Sequence, residues 1–373
     1  MTRLHPDVAD VSSPADSPAE TVADAIESDL LLVEHEFSAF LAARRAEAAG
    51  YGDGYVRLWQ SVTESARGGK RLRPRLVLTA YHGLNGGGNR SDAVQTALAF
   101  ELLHTAFLLH DDVIDGDTVR RGRPNVAGEF SADALFRGAD EPRARLWGQS
   151  AAILAGDLLL HAATQRVARL TTPEPSRSLI LDLFERAVFV TAAGELADVG
   201  LAAGLSDGRI DDVLAMTEEK TAEYTVAAPL AAGAALARAD PELRDLLAGY
   251  GRLVGTAFQL GDDLLGVFGE EAVTGKSASS DLRQGKQTSL IAFARGTREW
   301  PAIQPLLGHP DLSAAEAAAA GAALERCGAR AFVNSLIATH VAAAIATLDS
   351  PLVPADLAAT LARLAHSCVG RTS

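Results

Sequence analysis

Asp111-Asp112-Val113-Ile114-Asp115 places three carboxylates in five residues. On a helix, Asp111 and Asp115 stand one turn apart on the same face. That face suits a hard cation that takes oxygen ligands. Magnesium uses one or two carboxylates and completes its shell with substrate phosphates. The plain alternative is a solvated acidic helix end, but the preceding residues argue against it. Leu108, Phe107, His104 and Glu101 run down one side, and Val94, Leu98, Leu102, Thr105 and Leu109 form a largely apolar stripe on the other. A helix wrapped by protein brings its carboxylates under cover, where they need partners. A second acidic pair, Asp262-Asp263, lies in Gly261–Gly266 after Phe258 and Gln259. Two such helix ends suggest two carboxylate walls facing one cavity, which would repel each other without cations.

The basic residues are also grouped. Lys70-Arg71-Leu72-Arg73-Pro74-Arg75 sets four cations in six residues behind Gly68-Gly69, at the start of a helix expected near Pro74. Arginine grips phosphate bidentately, lysine acts as a point charge, and a helix N-terminus adds amide donors. The plain reading is a solvated basic turn. Arg120-Arg121, Lys220, Lys276 and Lys286 supply further cations, and the last two flank a charged, lid-like stretch, Asp281–Gly285.

The elements that position these groups read as helices. Hydrophobic residues make up 48% of the 373-residue chain, aromatics only 5%, and Ala and Leu dominate, which favours helix over strand. The spacing predicts ten or more helices in one all-α bundle around a central cavity, over residues 21–373, behind a disordered Pro/Ser/Asp-rich tail at 1–20. Thr21 and Asp24 have capping-box spacing. Breaks are expected at 50–54, 83–88, 138–142, 172–175, 241, 275–280 and 300–310, the 138–142 break lying in a longer connection after Pro124 that takes in 128–148. Ala-rich 314–324 is expected to be buried or tightly packed. No run of alternating strands separated by hairpin turns is seen. A net charge of −14 argues against a nucleic-acid partner but not against anionic substrates. Cys327 and Cys368 form no framework and fit a reducing compartment. No stretch reads as long and charge-free enough to span a bilayer and no signal peptide is evident, so a cytoplasmic protein is expected.

With these residues in view, the chain resembles the trans-isoprenyl diphosphate synthases, the polyprenyl synthetase family. The resemblance spans roughly residues 66–290 and rests on motifs in family order: GGKRLRP (68–74), HTAFLLHDDVID (104–115), GDTVRRGRPN (116–125), AILAGD (152–157), KTAEY (220–224), FQLGDDLLG (258–266) and DLRQGKQTSL (281–290). It implies a prenyltransferase that condenses isopentenyl diphosphate with an allylic diphosphate. The implied cofactor is magnesium, three ions with substrate bound, and the implied assembly a homodimer. By the same resemblance Asp111 and Asp115 hold metal from one wall and Asp262 from the other, with Asp112 and Asp263 helping through water. Arg120, Lys220, Lys276 and Lys286 hold the allylic diphosphate. Lys70, Arg73, His104 and Arg121 hold that of isopentenyl diphosphate. Thr221 and Gln259 flank the reacting carbons. One position departs: Gly266 stands where many relatives carry a third Asp.

Product length is read from the helix leading to Asp111. In the family the growing tail descends along it, so Phe107, one turn back and about 5 Å below the metal, acts as a floor. Ala106 leaves the adjacent position open, and Leu103 lies a further turn down. A C20 product is expected, with C15 the runner-up. Three other readings were weighed. A di-iron bundle needs two Glu-x-x-His motifs, and only Glu101–His104 is present. A terpene cyclase would leave the Lys70/Arg73 cluster unexplained. A non-catalytic partner subunit would not need intact Asp111, Asp115, Asp262 and Arg120. Glu195 and Asp198, on an otherwise apolar helix, receive no role.

Overall fold

The computed structural model describes residues 21–269, 280–309 and 311–369. The tail at 1–20 and Lys276 lie outside the described residues. Helices α1 (Val22–Ala48), α2 (Asp53–Ser65), α3 (Leu72–Gly83) and α4 (Arg90–Ile114) come first. The expected capping box is present at the start of α1, where Thr21 accepts from Asp24 N and Asp24 answers on Thr21 N. Helix α3 begins two residues before the expected Pro74. Arg71 takes up a left-handed conformation (φ 48°) at its N-cap, and Pro74 falls in the first turn, where a missing N–H costs nothing.

The stretch after Pro124 corrects the expected long connection. Residues Val126–Phe136 form α5 and Glu141–Ala168 form α6. Asn125 caps α5 by accepting from Gly128 N, and Asp140 caps α6, with Pro142 in its first turn. Gly128 is no breaker. A Cβ there would lie 2.1 Å from Thr118 O, so the glycine serves a close helix contact. A small hairpin also escaped the sequence reading. Strands β1 (Val119–Arg120) and β2 (Arg123–Pro124) pair antiparallel around Arg121 and Gly122, both at positive φ, as a two-residue primed turn requires. Two residues per strand are too few for alternation to show.

Then follow α7 (Ser176–Ala202), α8 (Ile210–Thr217), a ten-residue π-helix (Glu218–Ala227), α9 (Ala228–Leu236) and α10 (Pro241–Phe268). Short α11 (Ser280–Gln284), α12 (Ser289–Ala294) and α13 (Trp300–Ile303) lead to α14 (Ala314–Arg326), α15 (Ala329–Thr347) and α16 (Ala355–Val369). Helix α14 is not the buried element expected: only Ala320, Ala323 and Leu324 are inside, because a single small-residue stripe meets the bundle. Helix α15 is, against expectation, long and apolar enough to cross a membrane by length and composition. In this fold it buries Val333, Ile337, Val341 and Ala344 in the core beside α10.

Two hydrophobic cores lie side by side. One joins α1, α2, α4, α6 and α7; the other joins α10, α12, α15 and α16. Helices α3 and α9 form their common wall, giving Val77, Leu78 and Ala232 to the first and Leu76, Ala80, Leu230 and Ala234 to the second. Within the first core Phe100 of α4 meets Phe184 of α7 edge-on, with ring centroids 5.4 Å apart. Such a pair adds about 0.5–1.5 kcal/mol beyond its area and fixes the height of α7 against α4.

Candidate active site

The acidic end of α4 is partnered by cations from three other segments. Arg120, on β1, donates from Nε to Asp112 Oδ1 at 2.7 Å and from Nη2 to Asp111 Oδ2 at 3.2 Å. Lys220 Nζ, from the π-helix, lies 3.7 Å from Asp111 Oδ1. Lys286 Nζ, after α11, donates to Asp115 Oδ2 at 3.0 Å. Asp112 is buried, which raises its pKa despite the Arg120 charge beside it. Asp111 and Asp115 are only half-buried, with side chains 26% and 15% exposed, and so remain reachable from the cleft.

The second wall is the end of α10. Thr221 Oγ1 donates to Gln259 Oε1 at 3.0 Å, and Gln259 Nε2 donates to Asp263 Oδ1 at 2.9 Å. The expected Thr221–Gln259 neighbourhood is therefore present. Burial first, and then the nearby charge of Asp281, push the Asp263 carboxyl up to about 7. Asp262, one residue earlier, is half-buried. Lys286 ties the walls together, since its charge acts on Asp263 while its ammonium sits on Asp115.

Lys220 shows what sequence reasoning missed. Besides Asp111 it meets Asp198 Oδ2 at 2.6 Å and Glu195 Oε2 at 3.0 Å, both on α7. Burial works against its charge, but Asp198, Asp111 and Glu195 outweigh it and the pKa is raised. Glu195 is itself raised by burial, and its Oε1 is buried without a hydrogen bond. The available signal was the pair of acids three residues apart on an apolar helix. The π-helix that carries Lys220 is seated by close backbone contact. A Cβ on Gly194 would lie 2.2 Å from Lys220 N, and one on Gly255 would lie 2.5 Å from Ala222 Cα. Wide helical turns of this kind recur at functional sites.

The remaining basic residues gather around His104. Arg73 turns inward, 9% exposed, with its guanidinium 4.5 Å from the Tyr224 ring centroid. Its Nη2 donates to Thr225 Oγ1 at 2.8 Å and to Tyr224 Oη at 3.0 Å, while its buried Nε has no partner. Tyr224 Oη also lies 3.5 Å from His104 Nδ1. Arg121 donates to Arg67 O at 2.7 Å and lies over Gly68 and Gly69, where added Cβ atoms would be 3.5 and 3.4 Å from its guanidinium. The hairpin tip thus docks on the glycine pair beside exposed Lys70. Burial first, and then the charges of Arg73, Arg120, Arg121 and Arg71, hold the His104 imidazole well below its usual range. A neutral histidine near four guanidiniums, of which Arg73 and Arg121 have no carboxylate partner, marks a region of positive potential. Tyr224 was quoted in a motif but given no part. Here it touches Arg73, His104 and Phe107, the last edge-on at 5.1 Å.

Phe107 is partly buried below Asp111, while Ala106 and Leu103 are fully buried. Glu101, half of the di-iron alternative, instead binds Arg71 Nη1 at 2.6 Å. Among the described residues no three His, Cys, Asp or Glu side chains converge closely enough to hold a metal by themselves. The walls instead offer one or two oxygens each, the number magnesium takes from protein when a substrate phosphate completes its shell. On the first wall the present partners are the head groups of Arg120, Lys220 and Lys286, cations standing where a metal would balance charge, while on the second Asp263 is held by Gln259. The residues fit a divalent cation.

The architecture is the all-α isoprenoid synthase fold. A solved geranylgeranyl pyrophosphate synthase from Corynebacterium glutamicum, complexed with isoprenyl diphosphate and magnesium, superposes with a TM-score of 0.85 over 93% of this chain and 99% of that one, at 29% identity. The family model described as polyprenyl synthetase matches residues 57–320. A (2E,6E)-farnesyl diphosphate synthase from Mycobacterium tuberculosis is 33% identical over 81% of this chain and 80% of its own length. A geranylgeranyl diphosphate synthase from the same organism is 33% identical over 84% of each. The chain belongs to the polyprenyl synthetase family and is a trans-prenyltransferase.

Proposed function

We propose that the enzyme condenses isopentenyl diphosphate head-to-tail with an allylic diphosphate, using magnesium, to give geranylgeranyl diphosphate (C20). The observation that carries the substrate pairing is the division of the cations into two groups. Arg120, Lys220 and Lys286 sit among carboxylates between the two walls. Arg73 and Arg121 lie by His104, and exposed Lys70 follows the glycine pair on which Arg121 docks; none of the three has an ion pair among the described residues. The first group, with Lys276, holds the allylic diphosphate, and the second that of isopentenyl diphosphate.

Asp111, Asp115 and Asp262, with Asp112 and Asp263 in support, would hold magnesium, three ions in the full complex, which would supply positive charge for the leaving diphosphate. The chain's own groups do the rest. Arg120, Lys220 and Lys286 stabilise charge that develops as the carbon–oxygen bond ionises. Thr221 Oγ1 and Gln259 Oε1 place oxygen dipoles beside the allylic cation. Phe107 and Tyr224 keep water from it. The released diphosphate takes the proton lost after attack.

Chain length rests on Phe107, which packs against Tyr224 one turn below Asp111, with small Ala106 beside it. Incubation with labelled isopentenyl diphosphate and each allylic starter should yield C20. A C15 product, the activity named in the farnesyl-type relative, would replace that assignment. Phe107→Ala should lengthen the products without abolishing turnover. An active variant with an unchanged product distribution removes Phe107 as the floor. Phe189 and Leu196, seven residues apart on α7 and so on one side of it (71% and 74% exposed), leave an apolar stripe that supports a homodimer. Sedimentation of the purified chain should give twice the mass of one chain; a monomer would refute this.

A further inference from the structure

The second wall carries two aspartates and then Gly266, where the first wall carries Asp115. On α4 the outward carboxylates follow an i, i+4 pattern, Asp111 and Asp115. The equivalent step from Asp262 on α10 arrives at Gly266. The space beside that glycine is not empty. A Cβ built on Gly266 would lie 2.1 Å from Asp281 Oδ2 and 2.8 Å from its Cγ. The carboxyl group of Asp281 therefore fills the volume that a side chain at 266 would occupy. Glycine at 266 is what allows it to do so.

Asp281 is held there by its surroundings. Its own carbonyl accepts from Lys286 N at 3.0 Å, and the next carbonyl, of Leu282, accepts from Gly308 N at 2.9 Å. Leu282 is buried in the second core. Arg283 Nη2 donates to Leu312 O at 3.0 Å. On the cleft side Gln284 Nε2 donates to Asp117 Oδ1 at 3.0 Å, and Lys286 reaches Asp115. The segment is thus fixed to both walls. The charge of Asp281 is felt at Asp263 on one side and at Lys286 on the other, as expected of a carboxylate inside the site.

We propose that Asp281 supplies the second wall with its missing carboxylate, in the place Gly266 leaves open, and so helps hold the divalent cation bound there. The assignment rests on the metal-dependent reading above. It makes Gly266 and Asp281 a matched pair: with glycine on the helix, the carboxylate comes from the neighbouring segment.

The test is binding of Mn2+ in the presence of inorganic diphosphate, followed by electron paramagnetic resonance, with thermal melting to confirm folding. Asp281→Asn keeps the shape and removes the charge. It should weaken Mn2+ binding by about 10- to 100-fold, as loss of a supporting group at a metal site does. Gly266→Asp alone should also bind poorly, because its side chain collides with Asp281. The double variant Gly266→Asp/Asp281→Ala returns a carboxylate to the helix and should bind more tightly than Asp281→Ala by a similar factor. If wild type binds Mn2+ and Asp281→Asn binds it equally well, the assignment fails and the metal reading stands. It fails likewise if the double variant binds no better than Asp281→Ala. If wild type itself takes up no Mn2+, the metal reading falls and the assignment with it.

Discussion

The two groups of cations in the cleft differ in how they are balanced. Between the walls every described cation has a carboxylate: Arg120 has Asp111 and Asp112, Lys220 has Asp111, Glu195 and Asp198, and Lys286 has Asp115. Around His104 the balance is only partial: Arg71 and Arg120 have carboxylate partners, but Arg73 and Arg121 do not. Arg73 is matched to a hydroxyl pair and an aromatic face, Arg121 to a backbone carbonyl, and the histidine is kept neutral. A region rich in carboxylates binds a polyanion only if further cations enter with it. A region that keeps guanidiniums without a carboxylate partner binds one directly. On the proposed reading one molecule holds two diphosphate sites of opposite logic, one dependent on metal and one not.

The largest effect should come from the balanced side. Asp111→Ala or Asp262→Ala should lower kcat by about a hundredfold or more, the usual consequence of removing a group that stabilises developing charge, while circular dichroism shows an intact fold. A chelator should abolish turnover and the binding of a non-ionisable allylic diphosphate analogue, yet leave isopentenyl diphosphate binding largely in place. Equal loss of both ligands on chelation would erase the distinction between the sites.

The grouping of acids and bases on the balanced side was legible in the sequence, because most of them lie in short, dense runs. The helical class was legible too, from Ala/Leu-rich periodicity. Less visible were features that depend on where chains cross. Asp198 and Glu195 find Lys220 only through the packing of α7 on the π-helix, with Gly194 allowing the contact. Arg120 and Arg121 are split between two tasks by a hairpin of two-residue strands, too short to leave a pattern. Gly128 falls in the stretch expected as a connection, yet lies inside α5, where Thr118 O leaves no room for a side chain. Tyr224 gains its contacts with Arg73 and His104 from tertiary placement alone.

A smaller effect is expected on the unbalanced side. Lys70→Ala and Arg73→Ala should raise KM for isopentenyl diphosphate more than KM for the allylic substrate. The Lys70 change removes an exposed point charge. The Arg73 change also leaves Thr225 Oγ1, fully buried, without its donor. Arg73→Ala should therefore lower the melting temperature as well, whereas Lys70→Ala should not. A larger KM rise for the allylic diphosphate would mean that the two sites are exchanged.

The smallest effect is a pH dependence that isolates the neutral histidine. His104 has a folded pKa held well below its ordinary 6.5 by burial and then by the surrounding arginines. The unfolded chain takes up this proton near pH 6.5, and the folded chain does so only at lower pH. Below about pH 6.5 the unfolded state therefore binds more protons, and stability falls as the pH falls. Above it both states are neutral and His104 contributes no slope. The loss approaches about 1.4 kcal/mol per pH unit until the folded pKa is reached. His104→Gln keeps a polar side chain of similar reach without the titration. Between pH 7 and 5 its melting temperature should fall less than that of wild type, while from pH 7 to 8 the two should run parallel. Equal losses toward pH 5 would show that the folded protein accepts the proton as readily as the unfolded chain. The guanidiniums around His104 would then be balanced after all, and the contrast between the two diphosphate sites would lose its electrostatic basis.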